Sequence, residues 1–167
     1  APVPPAGGSR SASPSPRTNP DRFAVRILAV DWGERRIGLA VSDPTGVIAS
    51  ALPTLTVRGR SDAVGGVAAV ARETGAGRIV VGLPLRMSGE RGEAALAAER
   101  FAEALRRRTD LPVDTYDERL TSVLSQRRLR EQGVRTGHAK GMVDAGAAVA
   151  LLESYLQRLA AMRGDTP

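Results

Sequence analysis

Two short apolar segments joined by a polar, glycine-containing link constrain the fold of this chain most strongly. Residues 27–30 and 37–41 are apolar, and Trp32 and Gly33 lie between them. This spacing favours a β-hairpin. The first segment ends at Asp31, where burial of an unpaired carboxylate would be costly. Binding to a metal ion or a phosphate contact would remove that cost, and an aspartate that only accepts hydrogen bonds from its own turn fits the position equally well.

Strand and helix patterns alternate after this hairpin. Ser61 is placed to cap the first helix and Gly75 to end it. The predicted elements are, in order, a turn at 44–46, a strand at 47–57, a helix at 61–75, a strand at 78–82, a helix at 94–108, a strand at 112–117 and helices at 121–132 and 137–161. A three-stranded meander followed by alternating helices and strands predicts an α/β domain with a mixed five-stranded sheet and helices on both faces.

Composition divides the chain into a tail and a domain. Residues 1–22 are rich in Pro, Ser, Ala and Gly and offer too little apolar area to offset the entropy of ordering, which predicts a disordered tail. Residues 23–167 are expected to form a single domain. Residues 1–26 contain four arginines and one aspartate, a net charge of +3, so only half of the total charge of +6 lies on the remaining chain. This balance is compatible with a nucleic-acid partner without requiring one.

Several kinds of site are excluded or disfavoured by the residues that the chain lacks. The sequence has no Cys, which rules out disulfides and thiolate metal sites, and its single His, His138, makes a zinc site improbable. No apolar run approaches the roughly 18 residues of a membrane-spanning helix, and the N-terminus has no apolar core of a secretory signal. We expect a cytoplasmic protein with no membrane partner.

Two further carboxylates are candidates for the same site as Asp31. Glu118 directly follows the predicted strand at 112–117, and open α/β sheets bind ligands at the carboxyl ends of their strands. Asp144 lies in the last predicted helix, on the apolar stripe or at its solvent-facing margin. The members of that stripe are Ala147, Ala148, Leu151, Leu152 and Tyr155. The small residues at 145–148 predict a close approach of this turn to the sheet.

These three carboxylates converge if the first and fifth strands are near neighbours in the sheet. Three carboxylates within a few ångströms cannot all ionise without a cation. A ligand set made only of oxygen atoms suits Mg²⁺ or Mn²⁺. Asp117 is the nearest rival to Glu118 as the second ligand, because it lies next to it at the end of the same strand.

Four motifs in this order resemble those of the YqgF-type proteins of the RNase H-like superfamily. These proteins are known as pre-16S rRNA nucleases and as Holliday junction resolvase-like proteins. The motifs are Asp31-x-Gly33 with Arg36-Ile37-Gly38, Val80-Val81-Gly82-Leu83-Pro84, Asp117-Glu118-Arg119-Leu120-Thr121, and Val143-Asp144-Ala145. The resemblance covers about residues 26–159. Gly146 departs from it, since the family more often has Ala at this position.

The resemblance implies an RNase H-like fold with Asp31, Glu118 and Asp144 as metal-binding catalytic carboxylates. It further implies hydrolysis of phosphodiester bonds with Mg²⁺ or Mn²⁺, foremost in 5′-end processing of pre-16S rRNA. Resolution of four-way DNA junctions is the alternative. The partner is then structured RNA or branched DNA, and the protein is a monomer or a homodimer. A homodimer suits the alternative, because symmetric resolution needs two active sites.

Basic residues near the proposed carboxylates are candidates for phosphate contacts. Arg36, Arg119 and Lys140 are the substrate-binding candidates, and the guanidinium groups of the two arginines can bind phosphate in a bidentate manner. A solvated position or a structural ion pair is an equally good interpretation of each. The arginines in residues 127–140 are expected to contribute to affinity rather than to chemistry.

Two other classes of function fit parts of the sequence. Asp31-x-Gly33 on a first strand also resembles the phosphate-binding hairpin of actin-like ATPases and sugar kinases, but those enzymes need two such domains and this chain has room for one. A nucleic-acid-binding protein that keeps the fold without catalysis is the other class. The complete carboxylate set argues against it, because a degenerate site would gain from losing like charges.

Overall fold

The structure is a computed structural model that describes residues 25–121 and 140–164, with side chains in the second range described from residue 145 onward. The predicted tail at 1–22, most of the predicted helix at 121–132 and the basic segment before Lys140 lie outside the described residues. The division into a tail and one domain therefore stays a prediction.

The described residues form five strands and three α-helices. They are β1 (Arg26–Asp31), β2 (Arg36–Ser42), β3 (Ala49–Thr56), α1 (Arg60–Thr74), β4 (Ala76–Leu83), α2 (Glu93–Arg108), β5 (Val113–Asp117) and α3 (Lys140–Arg163). A short 3₁₀ turn, Glu118–Leu120, follows β5 directly.

The five strands form one mixed sheet in the order β3-β2-β1-β4-β5. β2 is antiparallel to both β1 and β3, whereas β4 is parallel to β1 and to β5. The predicted mixed five-stranded sheet is confirmed. Because β1, β4 and β5 run in the same direction, their carboxyl ends meet at one edge of the sheet, which we call the carboxyl edge.

Helices cover both faces of the sheet, as predicted. α1 and α2 pack on the face formed by Leu28, Val30, Ile79 and Val81. α3 packs on the opposite face, where its buried stripe contacts Ile27, Ala29, Ala40, Val80 and Tyr116. Alternate residues of β1 thus belong to different cores, which explains why this strand and β4 are apolar along almost their whole length.

Several local details differ from the predictions. β3 begins at Ala49 and ends at Thr56, within the predicted 47–57. Gly59, not Ser61, is the N-cap of α1, and no side chain caps this helix. β4 is longer than the predicted 78–82, because its pairing extends from Arg26–Ala76 at one end to Leu83–Asp117 at the other. Among the described atoms, a Cβ added to Gly146 would meet nothing within 4 Å, so no described contact at this position requires glycine.

Membrane insertion was not expected from the sequence. Among the described helices, none combines the length and the apolar character that crossing a bilayer requires.

Candidate active site

The sheet topology brings Asp31 and Glu118 to the carboxyl edge. Asp31 is the last residue of β1, and Glu118 follows the last residue of β5. β4 lies between these strands, with Val30 paired to Val81 and Leu83 paired to Asp117. The first and fifth strands are therefore near neighbours, which was the condition for the carboxylates to converge.

The side chains of Asp31 and Glu118 are in direct contact. A side-chain hydrogen bond joins the two groups. Two ionised carboxylates in contact repel each other, so this arrangement favours a shared proton or a bound cation. Burial raises the pKa of Glu118, and the charge of Asp117 adds to the increase, while the hydrogen bond from Asp31 acts in the opposite direction. The net result is a raised pKa for Glu118.

Gly82 provides the space in which the Glu118 carboxylate lies. A Cβ added to Gly82 would be 2.4 Å from Oε1 of Glu118 and 3.1 Å from its Cγ. No real side chain tolerates that approach, so position 82 must be glycine while Glu118 keeps this position. A glycine within a strand often marks such a close approach, and this was the sequence signal for a role of Gly82 beyond ending a strand.

The link after Asp31 is held rigidly. A Cβ on Gly33 would be 2.3 Å from the carbonyl oxygen of Arg36, so a residue with a side chain could not replace Gly33 without a shift of the backbone. Trp32 stacks on Phe101 of α2 with ring centroids 4.5 Å apart and an interplanar angle of 19°. The glycine and the stacked indole together fix the direction in which the chain leaves Asp31.

Asp117, the rival candidate for the second ligand, forms an ion pair with Arg119. Nη2 of Arg119 lies 2.7 Å from Oδ2 of Asp117, and Asp117 also accepts a hydrogen bond from the backbone N–H of Arg119. Hydrogen bonding to Arg119 lowers the pKa of Asp117. Nη1 of Arg119 donates to the carbonyl oxygen of Met87 at 3.3 Å, so this arginine also ties the end of β5 to the loop after β4.

The other two proposed phosphate contacts lie on elements that reach the same edge. Arg36 is the exposed first residue of β2, and β2 begins where β1 ends because the two strands are antiparallel. Lys140 is the first residue of α3, and its side chain lies outside the description. Contacts of Arg36, Lys140 and Arg119 with phosphate therefore stay predictions.

The backbone of Asp144 lies in the first turns of α3, as predicted, and its side chain is outside the description. The hydroxyl of Tyr155, farther along α3, donates to Asp114 near the beginning of β5. Asp144 precedes Tyr155 by eleven residues, or about 16 Å of helix.

The C-terminal half of α3 shows the direction in which the helix runs. It lines a cleft with the β2–β3 turn, including Gly46 and Ala160, at the edge where β1 begins. The first turns of α3 therefore extend towards the carboxyl edge. Among the described side chains, no three Asp, Glu, His or Cys groups are arranged to hold a metal ion, and the proposed third ligand, Asp144, is outside that set.

The sequence is similar to that of a known family over most of its length. The family model "RuvX: Holliday junction resolvase" matches residues 25–158. A protein of Chloroflexus aurantiacus, named "Putative pre-16S rRNA nuclease", is 43% identical over 130 residues, which are 78% of this chain and 85% of that protein. A protein of Nocardia farcinica with the same name is 42% identical over 162 residues, and the match covers 92% of this chain and 89% of that protein.

Solved structures are similar in fold at much lower sequence identity. The fowlpox virus Holliday junction resolvase has a TM-score of 0.50 and 13% identity, and the match covers 80% of this chain and 99% of that chain. At this identity the likeness shows the fold alone, and it is the RNase H-like fold predicted from the motifs.

Proposed function

The chain belongs to the RuvX family, and from this premise we propose that it is a divalent-metal-dependent nuclease that hydrolyses phosphodiester bonds in the 5′-end processing of pre-16S rRNA. The contact between the Asp31 and Glu118 carboxyl groups at the carboxyl edge carries this proposal. This contact places two acidic side chains together at the edge of the sheet where open α/β sheets bind ligands, which supports a cation site there. The cytoplasmic location expected from the sequence is part of the same proposal.

The described part of the site fits a hard divalent cation. Asp31 and Glu118 offer only oxygen atoms, and their close approach is unfavourable for two ionised groups unless a cation lies between them. We assign Asp31, Glu118 and Asp144 as the residues that would hold Mg²⁺ or Mn²⁺. When bound, such an ion supplies an activated water and neutralises charge on the phosphate.

The chain's own residues position this site and its substrate. Gly82 leaves room for Glu118, and Gly33 directs the chain after Asp31. Arg36, at the start of β2, can contact a phosphate of the bound strand from the same edge. Arg119 already pairs with Asp117, so its contribution to binding would come from a guanidinium held in a fixed position.

Junction resolution is the second candidate function, because the matching family model carries that description. It requires two active sites that act on opposite strands, and therefore a dimer. RNA processing requires one site only. The names of the relatives from Chloroflexus aurantiacus and Nocardia farcinica favour RNA as the substrate.

The two candidates are separated by one cleavage experiment. The purified full chain is incubated with a structured RNA that carries the 5′ leader of a 16S precursor, or with a four-way DNA junction, in Mg²⁺, Mn²⁺ or EDTA. We expect metal-dependent cleavage of the RNA at a defined site and weaker or no cleavage of the junction. Symmetric cleavage of the junction alone would assign the second function, and no cleavage of either substrate with either metal would contradict the nuclease proposal.

A further inference from the structure

A cleft lined by three arginines opens beside the candidate active site. It has a volume of about 520 Å³ and begins at Trp32, the residue after Asp31. Its lining comprises Trp32, Glu34, Arg35, Val57, Arg58, Gly59 and Arg60. We propose that this arginine cleft binds the sugar-phosphate backbone of the nucleic-acid strand next to the bond that is cleaved. The inference rests on the proposed function and names a substrate-binding surface for it.

The position of the cleft follows from the topology. β3 ends at Thr56, which pairs with Arg36 at the start of β2, so the chain enters α1 at the carboxyl edge. The link from β1 to β2 lies at the same edge. The backbone N–H of Val57 donates to the carbonyl oxygen of Arg35 at 2.8 Å and joins the two segments. A strand bound at Asp31 would thus continue over the cleft without leaving the protein surface.

The backbone that carries the arginines is fixed on the α1 side as well. The N–H of Arg58 donates to Oδ2 of Asp62 at 3.0 Å, which sets the direction of the chain at the start of the helix. This bond also gives the carboxylate of Asp62, the acidic residue in the first turn of α1, a partner within its own segment. The arginines are therefore presented from defined positions and not from a free loop.

Three arginines that form no ion pair with a described residue lie together in this cleft. Arg78, Arg86, Arg91, Arg106 and Arg119 each form an ion pair with an acidic side chain. Arg35, Arg58 and Arg60 are exposed and have no such ion pair within residues 25–121 and 140–164. Glu34 is the one acidic residue of the lining, so the cleft carries a formal charge of +2.

The start of α1 adds to this positive potential. The helix has 15 residues, its N-cap is Gly59, and no side chain caps its first turn. Backbone N–H groups at the start of a helix and the helix dipole both favour a bound anion. Three guanidinium groups lining one cleft can contact more than one phosphate, which a nucleic-acid backbone offers and a single small anion does not. Backbone contacts of this kind position a substrate without reading its sequence.

The test measures binding, so that it does not depend on cleavage. A fluorescently labelled RNA with the 5′ leader of a 16S precursor is titrated with the full chain in EDTA, at several KCl concentrations. Arg58→Ala with Arg60→Ala is compared with Arg107→Ala with Arg108→Ala. The second pair removes the same charge from exposed positions at the end of α2, near the opposite edge of the sheet. Arg58→Gln with Arg60→Gln retains much of the aliphatic stem should the alanine variant fail to fold.

We expect the cleft variant to bind the RNA on the order of tenfold more weakly and to reduce the slope of log K against log salt by about 1 to 2, as two lost phosphate contacts require. The control pair should bind within about twofold of the unmodified protein at matched salt. Equal weakening by both pairs, or an unchanged slope in the cleft variant, would overturn the proposal. If only the cleft variant binds RNA more weakly but the unmodified protein cleaves nothing, the cleft proposal stands and the nuclease function is rejected. If cleavage requires Asp31 but RNA binding and cleavage are unaffected by the cleft substitutions, the nuclease function stands and the cleft proposal is rejected.

Discussion

The carboxylate of Glu118 lies directly over the α-carbon of Gly82, so close that a Cβ at position 82 would be 2.4 Å from Oε1. Gly82 belongs to β4, the strand between β1 and β5. The absence of a side chain at Gly82 therefore leaves the space through which Glu118, which follows β5, reaches Asp31 at the end of β1. Without that space, the Glu118 side chain could not keep its contact with Asp31.

Gly82→Ala is expected to abolish metal-dependent cleavage while the protein stays folded. The added methyl group displaces the Glu118 carboxylate, and the backbone on either side of position 82 cannot move away because β4 is hydrogen-bonded on both sides. Cleavage rates and thermal unfolding of the same preparation check this prediction.

Gly65→Ala is the matched control for this substitution. Gly65 lies within α1, and a Cβ there would meet nothing within 4 Å. Alanine in a helix interior is favoured over glycine by about 0.5–1 kcal/mol, so this variant should be slightly more stable and fully active. If Gly82→Ala cleaves as fast as Gly65→Ala, Glu118 does not act from the position described here.

Asp117→Asn should retain cleavage, and Glu118→Gln should lose it. The Asp117 carboxylate is engaged by Arg119, and exposed ion pairs of this kind contribute little to stability, so its loss should lower the unfolding temperature only slightly. Parallel cleavage assays of both variants check the prediction. The reverse pattern, with an active Glu118→Gln and an inactive Asp117→Asn, would make Asp117 the second ligand.

The stability of the metal-free protein should fall as pH rises through the folded-state pKa of Glu118. Burial raises this pKa above the value of about 4.5 in the unfolded chain, so the native state holds its proton more tightly. The stabilisation is complete below the unfolded pKa and is lost as pH increases through the raised one. Chemical denaturation at several pH values in EDTA should show this decline in the unmodified protein and a weaker one in Glu118→Gln, whereas identical profiles would contradict it.

Tyr155→Phe should destabilise the protein without affecting cleavage. The Tyr155 hydroxyl donates to Oδ2 of Asp114 at 2.7 Å, and Asp114 also pairs with Arg78. Removal of one such hydrogen bond costs about 1 kcal/mol, and the group lies near the beginning of β5, away from the carboxyl edge. Thermal unfolding and cleavage assays measure the two effects, and a large loss of activity would contradict the direction assigned to α3.

The same network predicts how Tyr155 titrates. Burial and the carboxylate of Asp114 raise the pKa of Tyr155 to about 12. The associated stability is present below the ordinary tyrosine pKa of about 10 and is lost as pH rises through 12. Ultraviolet titration should show one tyrosine that ionises at this raised pH, and the transition should be absent in Tyr155→Phe. If it is absent in Tyr116→Phe instead, the transition belongs to Tyr116 and the prediction is contradicted.

Much of the fold could be predicted from the sequence because hydrophobic periodicity and glycine positions determine it. The hairpin around Asp31, the buried β4 and the stripe of α3 all followed from patterns that reflect one-sided or two-sided burial. Gly75 was correctly placed at the end of α1, where it adopts the left-handed conformation that favours glycine. The prediction of Ser61 as the N-cap was wrong, because the helix begins after Gly59. In its first turn, Asp62 accepts a hydrogen bond from the backbone N–H of Arg58, the residue before that cap.

The site could be predicted only in part, because its geometry depends on contacts between distant residues. Asp31 and Glu118 were proposed for one site from their positions at strand ends and from their motifs, and the structure brings their side chains into contact. The pairing of Asp117 with Arg119, the space above Gly82 and the arginine cleft depend on side-chain directions and on the packing of β4, which no local pattern reports. The placement of the Asp144 side chain stays a prediction.

The most direct test of the central claim is the rate of Mn²⁺-dependent cleavage of the 16S precursor RNA under single-turnover conditions, measured for the unmodified chain and for Asp31→Asn, Glu118→Gln and Asp144→Asn. Thermal unfolding in EDTA accompanies each variant. The proposed site predicts background cleavage for all three, with unfolding temperatures equal to or above that of the unmodified protein, because each substitution removes one of several repelling carboxylates. Retained cleavage in all three folded variants would contradict a nuclease site built from these residues.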